Sequence, residues 1–132
     1  MNFLKNFFKE TSSEESESSK EDMKYFELDK MEQFDKIDEI SKTKPVVLFK
    51  HSTRCSISRM ALKQFDAAFN YPEEKIDWYL LDLLNHRDLS NEIAHRYNVT
   101  HQSPQILVIQ NGKAVFNESH DSIAAEDLKQ FT

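Results

Sequence analysis

The chain has 132 residues, of which 39% are hydrophobic, with a formal net charge of −6 and an isoelectric point near 5.3. This length suits a single domain. The acidic balance argues against a general nucleic-acid or anionic-membrane binder, which would need a basic face. The sequence contains no run of about 18 apolar residues, so no membrane-spanning helix is predicted.

The first 24 residues are predicted to form a flexible acidic, serine-rich extension. Residues 10–22 contain no apolar side chain that could offset the entropy of being ordered. Residues 1–9 carry Phe3, Leu4, Phe7 and Phe8 at helical spacing. This patch could dock on a partner or a membrane surface, but nine residues make a marginal helix. We favour a frayed terminus.

No secretory signal is expected, because the opening apolar stretch is short and interrupted by lysine. The single cysteine, Cys55, excludes an intramolecular disulfide. Both features predict a protein of the reducing cytoplasm.

The first predicted elements lead to Cys55. Residues 30–42 show the apolar period of an amphipathic helix, with Met31, Phe34, Ile37 and Ile40 on its buried face. Residues 46–50 are rich in β-branched and aromatic side chains and predict a strand. After the polar loop 51–55, a long helix is predicted that Asn70 and Pro72 end. Its expected apolar face comprises Ile57, Met60, Ala61, Phe65, Ala68 and Phe69.

The second half alternates in the same way. Residues 76–84 are almost continuously apolar, as in a parallel strand covered on both faces. Asp88 is expected to cap a helix that ends at Asn98. Residues 105–110 and 113–117 predict a hairpin around Asn111-Gly112, and a last helix is expected from Ser122.

This order predicts an α/β domain over residues 25–132. Alternating helices and strands imply parallel strands joined by right-handed crossovers. A hairpin and a helix at the end complete a thioredoxin-like three-layer fold, with a central mixed sheet of about four strands between helices.

Cys55 is the predicted reactive centre, because it stands where a strand joins a helix. Sites in open α/β sheets lie at the carboxyl ends of strands. Unpaired N–H groups and the helix dipole favour a negative charge there, and Arg54 adds a positive charge. We therefore expect a stabilised thiolate, the species that attacks disulfides, rather than a small buried hydrophobe.

Ser58 occupies the position where a dithiol site would carry its second cysteine. A hydroxyl can hydrogen-bond to a thiolate but cannot resolve a mixed disulfide, so the pattern predicts a monothiol route that needs an external thiol. We expect Ser56 and Ser58 to stabilise the thiolate, although Ser58 could equally cap the helix.

The segment 100–105 precedes a strand at the place where a thioredoxin-like fold has a cis-proline loop facing the reactive cysteine. Most X–Pro bonds are trans, so the sequence leaves the Ser103-Pro104 isomer open. With a cis bond, the Ser103 backbone would be free to pair with an extended substrate. Thr53, Ser103 and Pro104 are the predicted substrate-binding residues.

Two segments, His-Ser-Thr-Arg-Cys-Ser-Ile-Ser at 51–58 and His-Gln-Ser-Pro-Gln at 101–105, resemble the monothiol bacilliredoxin family of the bacillithiol system. The resemblance runs from Tyr25 to the C-terminus. It implies a thioredoxin-like protein that removes bacillithiol from protein cysteines, with Cys55 reactive and Pro104 as the cis-proline. Typical members read Thr-Cys-Pro-Ile-Ser where this chain has Arg54-Cys55-Ser56, so the small thiol is either bacillithiol or a similar compound.

The leading interpretation is therefore a monothiol disulfide reductase acting on S-thiolated client proteins, with the small thiol as co-substrate and no bound cofactor. No Cys/His spacing suggests a metal site. A non-catalytic module that presents the Pro104 loop to a partner is the alternative. Cluster binding between two subunits, as in monothiol glutaredoxins, is disfavoured because Ser56 replaces their glycine.

Overall fold

The structure, a computed structural model, describes residues 25–132, and the predicted N-terminal extension lies outside the described residues. The strands are β1 (Phe26–Glu27), β2 (Val46–His51), β3 (Asp77–Asp82), β4 (Gln105–Gln110) and β5 (Lys113–Ser119). The α-helices are α1 (Gln33–Ile40), α2 (Ser56–Ala68) and α3 (Arg87–Tyr97). Two 3₁₀ helices, His120–Ser122 and Ala125–Phe131, complete the chain.

The strands form one mixed sheet in the order β1-β3-β2-β4-β5. β1 and β2 both run parallel to β3, whereas β4 runs antiparallel to β2 and to β5. The predicted thioredoxin-like α/β architecture is confirmed, with one strand more than the four expected. That strand, β1, has only two residues, too few for a hydrophobic period to reveal it.

Both faces of the sheet are covered, which explains the unbroken apolar runs of the central strands. Val46 and Leu48 of β2 point to one core, and Val47 and Phe49 to the other. α1 and α3 cover the first core with residues that include Phe34, Ile37, Leu89 and Ile93. α2 and the last 3₁₀ helix cover the second, in which Trp78 lies among Phe49, Phe65 and Phe69.

The predicted apolar face of α2 is wrong by one position at its start. Ile57 and Met60 are 58% and 62% exposed, whereas Ser58 is fully buried. The buried stripe runs through Ser58, Phe65 and Phe69, at about two-turn and one-turn intervals. A serine begins this stripe, so an apolar pattern could not reveal it.

Several boundaries also differ from the sequence predictions. α1 is shorter than expected, with Met31 exposed before it, and β3 ends at Asp82 instead of residue 84. α3 begins at Arg87 after His86, so Asp88 lies in the first turn and is not the capping residue. The last helix begins at Ala125 and has 3₁₀ geometry.

The predicted turns are present. Asn98 has a left-handed conformation (φ 57°) and ends α3. Asn111 and Gly112 have positive φ values of 54° and 74°, as a tight hairpin requires. Their N–H groups donate to the carbonyl oxygen and to Oγ of Ser41 at 2.8 and 2.9 Å, so the hairpin is attached to the end of α1. Within residues 25–132, no helix is long and apolar enough to cross a membrane.

Candidate functional site

Cys55 lies in the turn between β2 and α2. Its backbone is extended (φ −104°, ψ 122°), and it immediately precedes the helix. Its N–H donates to the carbonyl oxygen of Ser52 at 3.2 Å, and its own carbonyl accepts the N–H of Arg59 at 3.0 Å. The residue is partly exposed and forms no disulfide. Its place in the fold is therefore the strand-to-helix junction that the sequence predicts.

The start of α2 is electropositive. Its first turn holds no acidic residue, and no side chain caps it. Two arginines flank Cys55: Arg54 is exposed, and Arg59 donates to the carbonyl oxygen of Thr53 at 3.0 Å. Neither takes part in an ion pair within residues 25–132. These charges add to the partial positive charge of the helix end, so the surroundings of Cys55 are positively charged.

The Ser58 hydroxyl does not make the predicted contact. Its oxygen accepts the N–H of Ser52 at 2.9 Å and lies 2.7 Å from Nδ1 of His51. No hydrogen bond joins it to Cys55 in the described structure, and it caps no helix end. Ser58 instead attaches the first turn of α2 to the end of β2.

His51 is a buried partner of this serine. It is the last residue of β2 and pairs with Asp82 of β3. Burial lowers the pKa of His51, Arg59 lowers it further, and Asp82 opposes both. The ring is therefore neutral at neutral pH, with one nitrogen a donor and the other an acceptor. The burial of His51 and its bond to Ser58 favour a packing role over that of a general base.

The loop before β4 lies at the same edge of the sheet as Cys55, because β2 and β4 are antiparallel neighbours with Lys50 opposite Gln105. The Ser103-Pro104 peptide bond is cis. The carbonyl of Pro104 accepts the N–H of His120 at 3.0 Å. Within residues 25–132, no hydrogen bond reaches the Ser103 backbone or its buried hydroxyl. The loop therefore presents unpaired polar groups.

Two residues that the sequence analysis missed support this loop. Lys50 has no exposed surface, and its Nζ donates to Oε1 of Gln105 at 2.8 Å. The Gln105 side chain also accepts the N–H of Gln102 at 3.3 Å and donates to the carbonyl of Thr100 at 3.1 Å. Burial lowers the pKa of Lys50 to about 8. A lysine at the end of an otherwise apolar strand was the available signal.

Two surface cavities are lined by residues that lie on either side of Cys55 in the chain. The first, the arginine cavity, is about 410 Å³ and is lined by Thr53, Arg54, Leu84, Asn85 and Arg87. The second, the apolar groove, is about 430 Å³. Its lining includes Ser56, Ile57, Met60, Ala61, His120 and Ile123. The predicted site residues Thr53, Arg54 and Ser56 therefore face open space on either side of the cysteine.

No group of three or more metal-ligating side chains occurs within the described range 25–132. The geometry offers a free, partly exposed cysteine, positively charged surroundings and a nearby loop with exposed residues. This arrangement suits thiol–disulfide exchange at one sulfur.

Comparison with known families and structures agrees with this geometry. A family model described as monothiol bacilliredoxin BrxC matches residues 26–128. A solved structure described as a thioredoxin-fold protein proposed to be an oxidoreductase is 36% identical, with a TM-score of 0.70, and the match covers 81% of this chain and 92% of that one.

More distant structures share the fold. A thioredoxin of Malassezia sympodialis is 16% identical with a TM-score of 0.64, and the match covers 82% of this chain and 87% of that one. Thioredoxin f from spinach chloroplast, long form, is 17% identical with a TM-score of 0.62, and the match covers 81% of this chain and 82% of the other.

Proposed function

Because the chain belongs to the monothiol bacilliredoxin family, we propose that it removes a low-molecular-weight thiol, bacillithiol or a similar compound, from mixed disulfides on client proteins. The observation that carries this proposal is a single, partly exposed cysteine before an uncapped helix, with a serine in place of a second thiol. A redox function follows from the family and its fold.

The first step is an exchange of one disulfide for another. The Cys55 thiolate attacks the small thiol's sulfur in the client mixed disulfide. A bond forms between these two sulfurs, the bond to the client sulfur breaks, and the client cysteine leaves as a thiolate. The client is reduced, and Cys55 now carries the small thiol.

The second step restores the protein. A second small-thiol molecule, as thiolate, attacks the small thiol's sulfur on Cys55 and releases a small-molecule disulfide and the Cys55 thiolate. Ser58 supplies no sulfur for an internal alternative. The step needs a pool of reduced thiol, which is why we place the protein in the cytoplasm.

The proposed roles of the surrounding residues differ. Arg54 and the start of α2 stabilise the thiolate, and Ser56 assists from the exposed first helical position. Ser58 acts by positioning, through its bonds to His51 and Ser52. Thr53, Ser103 and Pro104 bind the client segment, and the unpaired backbone of Ser103 is available for an extended chain.

The test is de-thiolation of a client peptide whose single cysteine carries bacillithiol or glutathione. We expect the wild-type protein to release free peptide and to gain the mass of the small thiol on Cys55, whereas Cys55→Ala leaves the peptide modified. Thermal unfolding of both proteins controls for folding. Equal modified peptide after incubation with wild type and with Cys55→Ala would show a non-catalytic binding module instead.

A further inference from the structure

The arginine cavity has the chemistry of an anion site beside the reactive sulfur. Thr53 and Arg54 come from the turn that holds Cys55, and Asn85 and Arg87 come from the β3–α3 connection. None of its five lining residues is acidic. Its volume lies in the range of small-molecule pockets.

The two arginines of this cavity have no carboxylate partner within residues 25–132. The nearby acids have other contacts: Asp82 accepts from the Asn85 side chain at 2.8 Å, and Asp88 accepts the N–H of Leu89 at 2.9 Å. The chain has a net charge of −6. Two arginines without a carboxylate partner are unusual in so acidic a protein. A guanidinium is suited to bidentate carboxylate recognition.

The positive field extends towards the Pro104 loop. The pKa of His101 is lowered, first by burial and then by the charges of Lys50 and Arg87. Arg87, which lines the cavity, therefore also lies near the loop that contains Pro104.

We propose that the arginine cavity binds the carboxylate groups of the small thiol while its sulfur reacts with Cys55, with Arg54 and Arg87 as the binding residues. This inference rests on the proposed function and adds the chemical class of its co-substrate, a thiol that carries carboxylates. Thr53 and Asn85 supply further polar contacts at the cavity wall.

A small thiol is a better occupant than an acidic client segment. A thiol bonded to Cys55 is held beside Arg54, which precedes it in the chain. An extended client has its own surface at Ser103 and the apolar groove, on other sides of the cysteine.

The experiment varies two properties independently: the charge of the leaving peptide and the carboxylate groups of the small thiol. A neutral and an acidic peptide each carry glutathione or glutathione diethyl ester, whose carboxylates are masked. The measured quantity is the rate constant for peptide release by the full chain, expressed as the ratio of the acid to the ester form. This ratio cancels any change in the thiolate population of Cys55.

We expect wild type to favour the carboxylate form by at least about threefold, the scale of an exposed charge pair. Arg87→Gln and Arg54→Gln should move the ratio towards one. Arg59→Gln, which removes a cation near Cys55 but outside the cavity, and Lys36→Gln, a remote exposed cation on α1, should keep it. The assay is repeated with bacillithiol in place of glutathione to compare the two small thiols.

Peptide release with a ratio of one in wild type, or with the same ratio in Arg87→Gln and wild type, overturns the carboxylate site and leaves the proposed function standing. A release rate that changes with the charge of the peptide but not with esterification of the small thiol overturns the carboxylate site in favour of an acidic client. Absence of release from every substrate overturns both proposals.

Discussion

Ser58 shows how a single hydroxyl can hold a reactive loop. It lies fully buried in the first turn of α2 and contacts both the Ser52 N–H and the His51 ring. Through these two bonds the start of the helix and the end of β2 become one unit. The position of Cys55 depends on both of these elements.

We expect Ser58→Ala to lower the free energy of unfolding by about 1–3 kcal/mol, because it leaves the partly buried Ser52 N–H and the buried His51 ring nitrogen without a partner. The matched control is Ser56→Ala, an exposed serine in the same turn, with a change within about 0.5 kcal/mol. Urea unfolding measures both. Equal effects of the two substitutions would contradict this role for Ser58.

Lys50 is a buried cation whose nearest described partner is a neutral amide. Its pKa is about 8 in the folded protein, against 10.5 for the free side chain. Between pH 8 and 10.5 the unfolded chain binds more protons, so stability rises with pH. Above pH 10.5 Lys50 is neutral in both states and its burial as a cation costs nothing. This gain in the free energy of unfolding is lost as the pH falls to 8.

Lys50→Met should therefore be more stable than wild type at neutral pH, by up to about 3 kcal/mol from the size of the shift. The difference between the two proteins should shrink as the pH rises to 10. Exposed Lys36→Met is the control, for which we expect no pH-dependent difference. Urea midpoints at pH 7 and 10 provide the measurement, and a difference independent of pH would refute the argument.

At the scale of elements, α1 and α3 are joined by a polar cluster over the first core. Asp38 of α1 accepts from Arg96 at 2.8 Å and from the Tyr97 hydroxyl at 2.6 Å. Arg96 also donates to Glu92 at 2.9 Å and lies 5.2 Å from the centre of the Phe34 ring. The cluster aligns the two helices that cover this face of the sheet.

Asp38→Ala should lower the free energy of unfolding by about 1–3 kcal/mol, because it removes a partner from two half-buried donors. The control is Asp35→Ala: this side chain is 88% exposed and reaches the same Arg96 nitrogen at 3.5 Å. An exposed pair of this kind contributes about 0–1 kcal/mol. If thermal unfolding showed equal losses, burial would not be the deciding factor.

The elements that the sequence predicted well were those whose apolar pattern matches their burial. The centres of β2 and β4 are apolar runs inside the sheet. Asn98 at the end of α3 and the Asn111-Gly112 pair in the hairpin are residue types that favour turns. Patterns failed where polar residues are buried or apolar ones exposed. Lys50 bonds to Gln105, 55 positions away, and Ser58 bonds to His51 and Ser52 across the strand-to-helix turn. No apolar period encodes such a polar partner.

The candidate site divides in the same way. Cys55 and the Pro104 loop were predictable because a strand-to-helix junction and a proline before a strand are local features. The role of Ser58 was not, since its hydroxyl could reach the sulfur, the helix end or β2, and only the tertiary structure selects β2. Arg87 was missed because it lies 32 positions from Cys55 in the sequence.

At the scale of the whole molecule, the described fold begins at Tyr25, whose ring packs against Trp78 with centroids 5.1 Å apart. The family match begins one residue later. We propose that residues 25–132 form the complete folding unit. The acidic residues 10–22 contain no apolar side chain.

Removal of residues 1–24 should shift the melting temperature by less than about 2 °C, which corresponds to a few tenths of a kcal/mol for a domain of this size. Removal of residues 1–25 should cost more, because it also deletes the Tyr25 ring. Calorimetry compares the three chains. A large fall in melting temperature on removal of residues 1–24 would place part of the folding unit in the extension.

The attachment of the hairpin to Ser41 has a consequence for chemical ageing. An Asn-Gly pair deamidates when the glycine nitrogen attacks the asparagine side-chain carbonyl and expels ammonia. In this fold, the Gly112 nitrogen is engaged with Ser41 Oγ, and both turn residues are held in fixed dihedral angles. We expect Asn111 to persist in the folded protein and to be lost faster after Ser41→Ala, as peptide mass spectrometry of stored samples would show. A bond that shapes a turn thereby also preserves its most perishable side chain.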